Sequence, residues 1–143
     1  MTILLDINVI IARLDRGHQY HGRVIHWMTS LPALSIASCP ITELGVLRIY
    51  GHPSYPRGPG SPGNAAHDLA VIRAMPGHRL LSETFSPLDT GVFPDLSGIS
   101  PKQLTDLYLL ALAVRHRIRF ATLDVKIPAH LIPGGGDACL IIP

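Results

Sequence analysis

Residues 2–15 of the chain, TILLDINVIIARLD, join an apolar run to a helical pattern with one carboxylate between them. The pattern predicts a buried strand at 2–6 and a helix at 9–15, for which Asn8 is a suitable N-cap. Asp6 therefore stands at the border of a predicted core. An isolated buried carboxylate is unfavourable, so this position implies a partner, a metal ion or an exposed strand end.

The bulk composition is that of a folded globular protein. The chain has 143 residues, of which 47% are hydrophobic and 15% are charged, and this size suits one hydrophobic core. We therefore expect a single domain over residues 1–143. The basic and acidic residues nearly balance, and a net charge of +2 is too small to indicate nucleic-acid binding by itself.

Neither a membrane segment nor an oxidising compartment is expected. No apolar run approaches the ~18 residues of a membrane span, and the N-terminal MTILLDINVI lacks the basic leader of a signal peptide. The two cysteines, Cys39 and Cys139, form neither a disulfide framework nor a C-x-x-C pair. We expect a cytoplasmic protein in which both cysteines are small buried residues.

Apolar runs and helical patterns alternate along the chain. Strands are predicted at 2–6, 34–38, 78–82, 118–123 and 138–142, and helices at 9–15, 18–30, 40–50, 64–75 and 101–117. Residues 51–63 are predicted to be a loop, because they include four Gly and four Pro. Residues 83–99 are predicted to be irregular, and 126–131 a turn or short helix. This alternation predicts an α/β fold whose parallel sheet has helices on both faces, and ligands of such sheets bind at the carboxyl ends of the strands.

The clearest helical pattern, at 101–117, carries an acid in apolar surroundings. Ser100 and Gln103 have the spacing of a capping box at its start. Asp106 then falls in the second turn, and the residues that follow it are almost all apolar. A charge on so buried a helix requires a compensating partner, and Lys102, one turn back, offers only a weak one.

Four acids occupy positions at which surface charge is not expected, although each has a simple structural alternative. Asp6 could cap a helix, Glu43 could favour the positive end of a helix dipole, and Asp124 could start a turn. Parallel strands end at a shared edge of the sheet, so these acids and Asp106 can converge there. Clustered carboxylates repel one another unless they are protonated or bind a cation, and ligands that are all oxygen select Mg²⁺ or Mn²⁺.

Four short runs carry these acids and resemble a known family. LLDINVIIA, PITELGVLR, TDLYLLALAVRH and FATLD, in this order, are similar to the acidic motifs of PIN-domain ribonucleases of the VapC type, the toxins of bacterial type II toxin–antitoxin pairs. The resemblance implies a three-layer α/β/α PIN-like fold with a central, mostly parallel sheet of about five strands. It further implies Mg²⁺- or Mn²⁺-dependent endonucleolytic cleavage of RNA, a homodimer and a cognate antitoxin as partner.

The same resemblance implies roles for individual residues. The metal-binding and catalytic acids would be Asp6, Glu43, Asp106 and Asp124. Asn8 and Thr122 would be polar auxiliaries at the site. Glu43 could ligate directly, hold a metal-bound water or act as a base, and either one or two ions could bind. Lys126 stands where some relatives carry another acid.

Two arginines are candidates for substrate binding. Arg13 and Arg16 lie near the end of the first predicted helix, where they could hold RNA phosphates beside the acidic site. A solvated basic face explains them equally well. The loop 51–63 and the segment 83–99 match no motif, and they could set RNA specificity, contact the antitoxin or do neither.

Other classes of protein fit the acids less well. A phosphotransferase of the haloacid-dehalogenase type needs a second Asp two residues after Asp6, where this chain has Asn8. A response-regulator receiver needs an acidic pair near the start, and only one acid is present there. The remaining alternative is a non-catalytic PIN-like module that binds RNA or protein. Loss of any of the four acids would favour that module, and all four are present.

Overall fold

A five-stranded parallel sheet forms the centre of the computed structural model, which describes residues 1–93 and 95–143. The strands are β1 (Thr2–Leu5), β2 (Ser35–Ser38), β3 (Arg79–Leu80), β4 (Arg119–Thr122) and β5 (Cys139–Ile141). Their order across the sheet is β3-β2-β1-β4-β5, and every neighbouring pair is parallel. The predicted α/β class is confirmed, and the sheet is parallel throughout rather than mostly.

Helices connect the strands and cover both faces of the sheet. Those in the described residues are α1 (Ile7–Leu14), α2 (His21–Ser30), α3 (Pro40–Ile49), α4 (Pro62–Arg73), α5 (Pro101–Arg115) and α6 (Gly135–Ala138), with a 3₁₀ turn at Ala129–Leu131. No helix among them is long and apolar enough to cross a membrane.

Two apolar cores lie on opposite faces of the sheet, because successive side chains of a strand alternate between faces. Ile3 and Leu5 of β1 pack into a core that α1, α2, α3 and α4 complete. Leu4 faces the other way, into a core formed chiefly by α5. The residues of α5 from Leu107 to Ala113 are all buried, as the nearly continuous apolar run predicts. This arrangement gives the three layers expected of a PIN-like fold.

The start of α1 differs from the sequence-based expectation. The helix begins at Ile7, not at residue 9, and its N-cap is Asp6 rather than Asn8. Asp6 is extended (φ −61°, ψ 153°), and its carbonyl oxygen accepts the backbone N–H groups of Val9 and Ile10 at 3.0 and 3.1 Å. The helix therefore follows β1 without a linker, which keeps Asp6 at the edge of the sheet.

Two later elements also depart from expectation. The loop ends at Ser61, because the Ser61 side chain accepts the backbone N–H of Asn64 and starts α4 at Pro62 instead of residue 64. The glycine run before β5 forms the start of α6 (Gly135–Ala138), for which no helix is predicted. A Cβ on Gly135 would lie 2.4 Å from the carbonyl oxygen of Ala129, so glycine alone permits this close approach.

The segment 83–99 is irregular over its described residues, as predicted, and the part of that prediction at position 94 lies outside them. It packs against α5 through aromatic side chains. Phe85 stacks on Tyr108 with ring centroids 4.5 Å apart, and the Tyr108 hydroxyl donates to the Phe85 carbonyl oxygen at 2.8 Å. Both cysteines are free; Cys39 is buried as expected, and Cys139 is half-buried.

Candidate active site

Three of the four predicted acids line one cavity at the carboxyl edge of the sheet. Asp6, Asp106 and Asp124 face a shared cavity of about 620 Å³. Asp6 directly follows β1, and Asp124 lies two residues beyond β4. Those strands are paired neighbours, so their ends deliver the two acids together. Asp106 comes from the second turn of α5, which lies beneath the same edge.

A threonine joins the two strand ends. The Thr122 hydroxyl donates to Oδ2 of Asp6 at 2.7 Å, and it accepts the backbone N–H of Asp124 at 3.1 Å. Oδ1 of Asp124 accepts the backbone N–H of Lys126 at 2.8 Å. Asp6 and Thr122 are 2% and 0% exposed, so their geometry is fixed by the sheet rather than by solvent.

The charges of this cluster are unfavourable in the absence of a cation. Burial raises the pKa of Asp6, against the hydrogen bonds from Thr122 and the backbone that lower it. Burial also raises the pKa of Asp106 to about 7, and the charges of Asp6 and Asp124 add to the effect. When neighbouring carboxylates cannot all be ionised without repulsion, a shared proton or a bound cation stabilises them.

The donor chemistry fits a hard divalent ion. The cavity offers carboxylate oxygens without a thiol or imidazole ligand among its lining residues, which is the donor set of Mg²⁺ or Mn²⁺. Among residues 1–93 and 95–143, no group of three or more Asp, Glu, His or Cys side chains is close enough together in this conformation to hold a metal ion. The three aspartates thus share a cavity without yet forming a closed ligand set.

Glu43 does not join the aspartates, contrary to the predicted convergence of four acids. It lies in the first turn of α3, where the Ser38 hydroxyl donates to Oε1 at 3.0 Å and Arg73 of α4 forms an ion pair with it at 3.1 Å. His78 Nε2 contacts the same Ser38 hydroxyl at 2.8 Å. The physical reason is that α4 packs beside α3 and supplies a cation that neutralises Glu43 locally.

The cations beside the aspartates differ from the two arginines that the sequence suggests for phosphate binding. Arg48, Lys102 and Lys126 line the aspartate cavity, as does the predicted auxiliary Asn8. Arg13 and Arg16 line other cavities at the far end of α1. Because α1 starts at the site and carries its last residues away from it, neither arginine is among the residues that line the aspartate cavity, and a role for them in phosphate binding stays a prediction.

Arg48 is the site residue that sequence reasoning missed. It belongs to the run PITELGVLR, which carries Glu43, and it lies on the last turns of α3 facing the aspartates. An arginine five residues after an acid on one helix falls on a different face from that acid, since 3.6 residues make a turn. This helical spacing is the sequence signal that could have indicated that Glu43 and Arg48 face different surroundings.

Comparison with solved structures defines the class of fold. No family model matches the chain. The fold aligns with the crystal structure of VapBC2 from Rickettsia felis bound to a DNA fragment from their promoter, with a TM-score of 0.58, 14% identity and coverage of 90% of this chain and 94% of that one. It also aligns with FitAcB from Neisseria gonorrhoeae, with a TM-score of 0.53, 21% identity and coverage of 97% and 96%.

Sequence relatives identify the family. The chain is 43% identical over 137 residues to the ribonuclease VapC44 of Mycobacterium tuberculosis, covering 94% of each. It is 35% identical over 124 residues to the ribonuclease VapC38 of the same species, covering 87% of this chain and 86% of that protein. The chain therefore belongs to the VapC ribonuclease family, and the predicted resemblance to VapC-type ribonucleases is confirmed.

Proposed function

We propose that this protein is the toxin of a toxin–antitoxin pair and a metal-dependent endoribonuclease that hydrolyses RNA phosphodiester bonds at the aspartate cavity. Membership of the VapC ribonuclease family supports the reaction class. The observation that supports the site is the gathering of Asp6, Asp106 and Asp124 around one cavity, where burial and neighbouring carboxylates raise the pKa values of Asp6 and Asp106.

The three aspartates are the residues that would hold Mg²⁺ or Mn²⁺. Such an ion, when bound, supplies a positive charge for phosphoryl oxygens and lowers the pKa of a bound water. Thr122 keeps the Asp6 carboxylate in one orientation through its hydrogen bond, and the backbone N–H of Lys126 does the same for Asp124. Oriented ligands reduce the reorganisation that catalysis would otherwise require.

The remaining polar residues of the cavity suit the substrate. Arg48, Lys102 and Lys126 are exposed and lie around the aspartates, so they can bind backbone phosphates on either side of the cut. Asn8 is exposed at the same cavity and can hydrogen-bond a phosphate or ribose oxygen. Glu43 can take part only if it leaves Arg73, so we assign the ligand role to the aspartates.

A protein antitoxin and a second copy of this chain are the partners that we infer. The fold shared with the VapBC2 structure supports an antitoxin. An apolar cavity of about 420 Å³, which includes Ile41, Leu104 and Tyr108, shares Thr105 with the aspartate cavity. A partner segment seated there would lie directly beside the aspartates and could block RNA.

One observation favours the second candidate, a non-catalytic module that binds RNA or protein. Glu43 is held by Arg73 outside the aspartate cavity, which leaves three acids where the family resemblance implies four. The two candidates differ in whether RNA is cut, so cleavage decides between them.

The deciding experiment is cleavage of total bacterial RNA by the purified, antitoxin-free protein with Mg²⁺, with Mn²⁺ and with EDTA. Asp6→Asn and Asp106→Asn test the site, and Asp137→Asn, an exposed acid of α6, is the matched control. We expect discrete cuts that require metal, vanish in both site variants and persist in the control. Equal background in every lane from folded protein would favour the binding module.

A further inference from the structure

A second large cavity, which the proposed function does not use, lies at the C-terminal ends of α1 and α3. Its volume is about 650 Å³, which is within the range of ligand pockets. The residues that give it chemical character are Asp15, Arg16, Tyr50, Tyr55 and Arg57. We call it the tyrosine cavity.

The tyrosine cavity contains a hydrogen-bond acceptor, the Asp15 carboxylate, which is held in position beside two aromatic rings. The Tyr55 hydroxyl donates to Oδ2 of Asp15 at 2.7 Å, and the backbone N–H of Gly17 donates to Oδ1 at 2.9 Å. The Tyr50 and Tyr55 rings meet edge to face, with centroids 5.1 Å apart. Burial and the hydrogen bond to Asp15 raise the pKa of Tyr55, so its hydroxyl remains a donor and the carboxylate keeps one orientation.

The rim of the tyrosine cavity is cationic. Arg16 and Arg57 are exposed. Arg57 adopts a φ of +51°, a left-handed conformation that a residue with a side chain rarely takes and that often marks functional positions. A Cβ on Gly58 would lie 2.7 Å from the Tyr55 ring, so the glycine lets the loop pack onto the tyrosine.

The tyrosine cavity and the aspartate cavity approach each other near the C-terminal end of α3. Arg48 and Ile49 of α3 line the aspartate cavity, and Tyr50, the residue that follows the helix, lines the tyrosine cavity. Along α1, Ile7 lines the first and Asp15 the second, a separation of about 12 Å at 1.5 Å per residue. A single strand covers that distance in roughly three or four stacked nucleotides of about 3.4 Å each.

We propose that the tyrosine cavity binds one nucleotide of the RNA substrate, a few positions from the cut, and thereby sets the sequence preference of cleavage. This inference rests on the proposed function and concerns its substrate. Arg16 and Arg57 contact the phosphates that flank the nucleotide, and the base lies against Tyr55. The Asp15 carboxylate accepts from an exocyclic amino group, so adenine, cytosine or guanine is bound in preference to uracil.

The binding test uses fluorescein-labelled A12 and U12 oligoribonucleotides in EDTA, with fluorescence anisotropy as the readout. We expect the double variant Arg16→Ala/Arg57→Ala to bind A12 roughly tenfold more weakly, with the slope of log affinity against log salt smaller by about 1.4, since each phosphate contact on a single strand contributes ~0.7. Asp15→Asn should reduce the preference for A12 over U12. Arg79→Ala, which removes an exposed arginine from β3, is the matched control.

Cleavage mapping separates this inference from the proposed function. A random-sequence RNA is cut and its product ends are sequenced. With wild type, uridine should be depleted at one position three or four nucleotides from the cut. With Asp15→Asn, this depletion should be absent. Asp106→Asn, which removes a negative charge from the aspartate cavity, should bind A12 at least as tightly as wild type and cut nothing. If wild type cuts no RNA, the proposed function fails while the anisotropy comparison still decides the cavity. If Arg16→Ala/Arg57→Ala leaves the affinity and the salt slope unchanged, and Asp15→Asn leaves the A12 preference unchanged, the inference is overturned. Binding of a protein partner would then be the remaining explanation of the tyrosine cavity.

Discussion

The Thr122 hydroxyl donates a hydrogen bond to Oδ2 of Asp6 at 2.7 Å across the neighbouring strands β4 and β1. Both side chains are buried, so the bond does not compete with water. The same hydroxyl accepts the backbone N–H of Asp124. One threonine therefore fixes the relative positions of two of the three aspartates.

Thr122→Val is expected to destabilise the fold and weaken metal binding together. Valine preserves the shape but leaves the buried Asp6 Oδ2 and the part-buried Asp124 N–H without a partner. The unsatisfied buried group costs about 1–3 kcal/mol of unfolding free energy. Urea denaturation at pH 8 measures the loss. Thr122→Ser keeps the hydroxyl and is the control; a valine variant as stable as the serine variant would show that the bond contributes little.

Asp106→Asn is expected to stabilise the metal-free protein at alkaline pH. Burial and the charges of Asp6 and Asp124 raise the pKa of Asp106 from its ordinary value of 3.8 to about 7. Between these values the native state binds more protons than the unfolded chain, so wild-type stability falls as pH rises from about 4 to about 7. Asparagine removes the charge that is unfavourable above pH 7. Because the side chain is part exposed, we expect a gain of about 1–2 kcal/mol.

Urea unfolding of the Asp106→Asn variant in EDTA at pH 5 and pH 8 provides the measurement. The advantage of the variant should be larger at pH 8, although the same variant should cut no RNA. Asp137→Asn controls for a general effect of removing one negative charge. An advantage that is absent, or equal at both pH values, would contradict the electrostatic description of the cavity.

Glu43→Gln is expected to leave the affinity for Mn²⁺ nearly unchanged. Its carboxylate is paired with Arg73 in a half-exposed ion pair, so we expect a loss of unfolding free energy of no more than about 1 kcal/mol. Manganese titration and urea unfolding measure the two quantities. A large loss of Mn²⁺ affinity in Glu43→Gln, or a gain in Arg73→Ala, would show that Glu43 leaves Arg73 to become a ligand.

Arg48→Ala is expected to weaken RNA binding without changing metal binding. Arg48 lies at the aspartate cavity, and loss of one contact with a single-stranded phosphate should reduce the salt slope by about 0.7. Fluorescence anisotropy of labelled RNA in EDTA measures the slope, and Mn²⁺ titration measures the metal. Arg13→Ala, which changes an arginine at the other end of α1, is the control. Equal effects of the two changes would contradict the placement of phosphates at Arg48.

The positions of Asp6, Asp124 and Asp106 were predictable because local rules determine them. Alternating strands and helices imply a parallel sheet, and neighbouring parallel strands end at one edge. For Asp106 the start of α5 was decisive, since the backbone N–H of Ser100 donates to the Gln103 side chain at 3.2 Å and thereby sets which residues fall in the second turn. The pairing of β1 with β4, which makes Asp6 and Asp124 neighbours, is a long-range contact that this pattern allows but does not specify.

The surroundings of Glu43 and of the arginines could not be predicted, because they depend on packing between distant segments. Arg73 lies thirty residues beyond Glu43, and only the docking of α4 against α3 brings them together. Likewise, Arg13 is close to Asp6 in sequence, but α1 extends for eight residues away from the site. A hydrophobic pattern gives the helix and its buried face; it does not give the distance of a polar side chain from a sheet edge.

The most direct test of the aspartate site is titration of the purified protein with Mn²⁺ at pH 8, followed by electron paramagnetic resonance of the free ion. Wild type, Asp6→Asn, Asp106→Asn and Asp124→Asn are compared with Asp137→Asn, and Mg²⁺ is added as a competitor. We predict that wild type and Asp137→Asn bind Mn²⁺, that Mg²⁺ displaces it, and that each cavity variant binds at least about tenfold more weakly, as loss of one charged ligand implies. Undiminished binding in the three cavity variants, or no binding by folded wild type, would contradict the assignment of the metal to these aspartates.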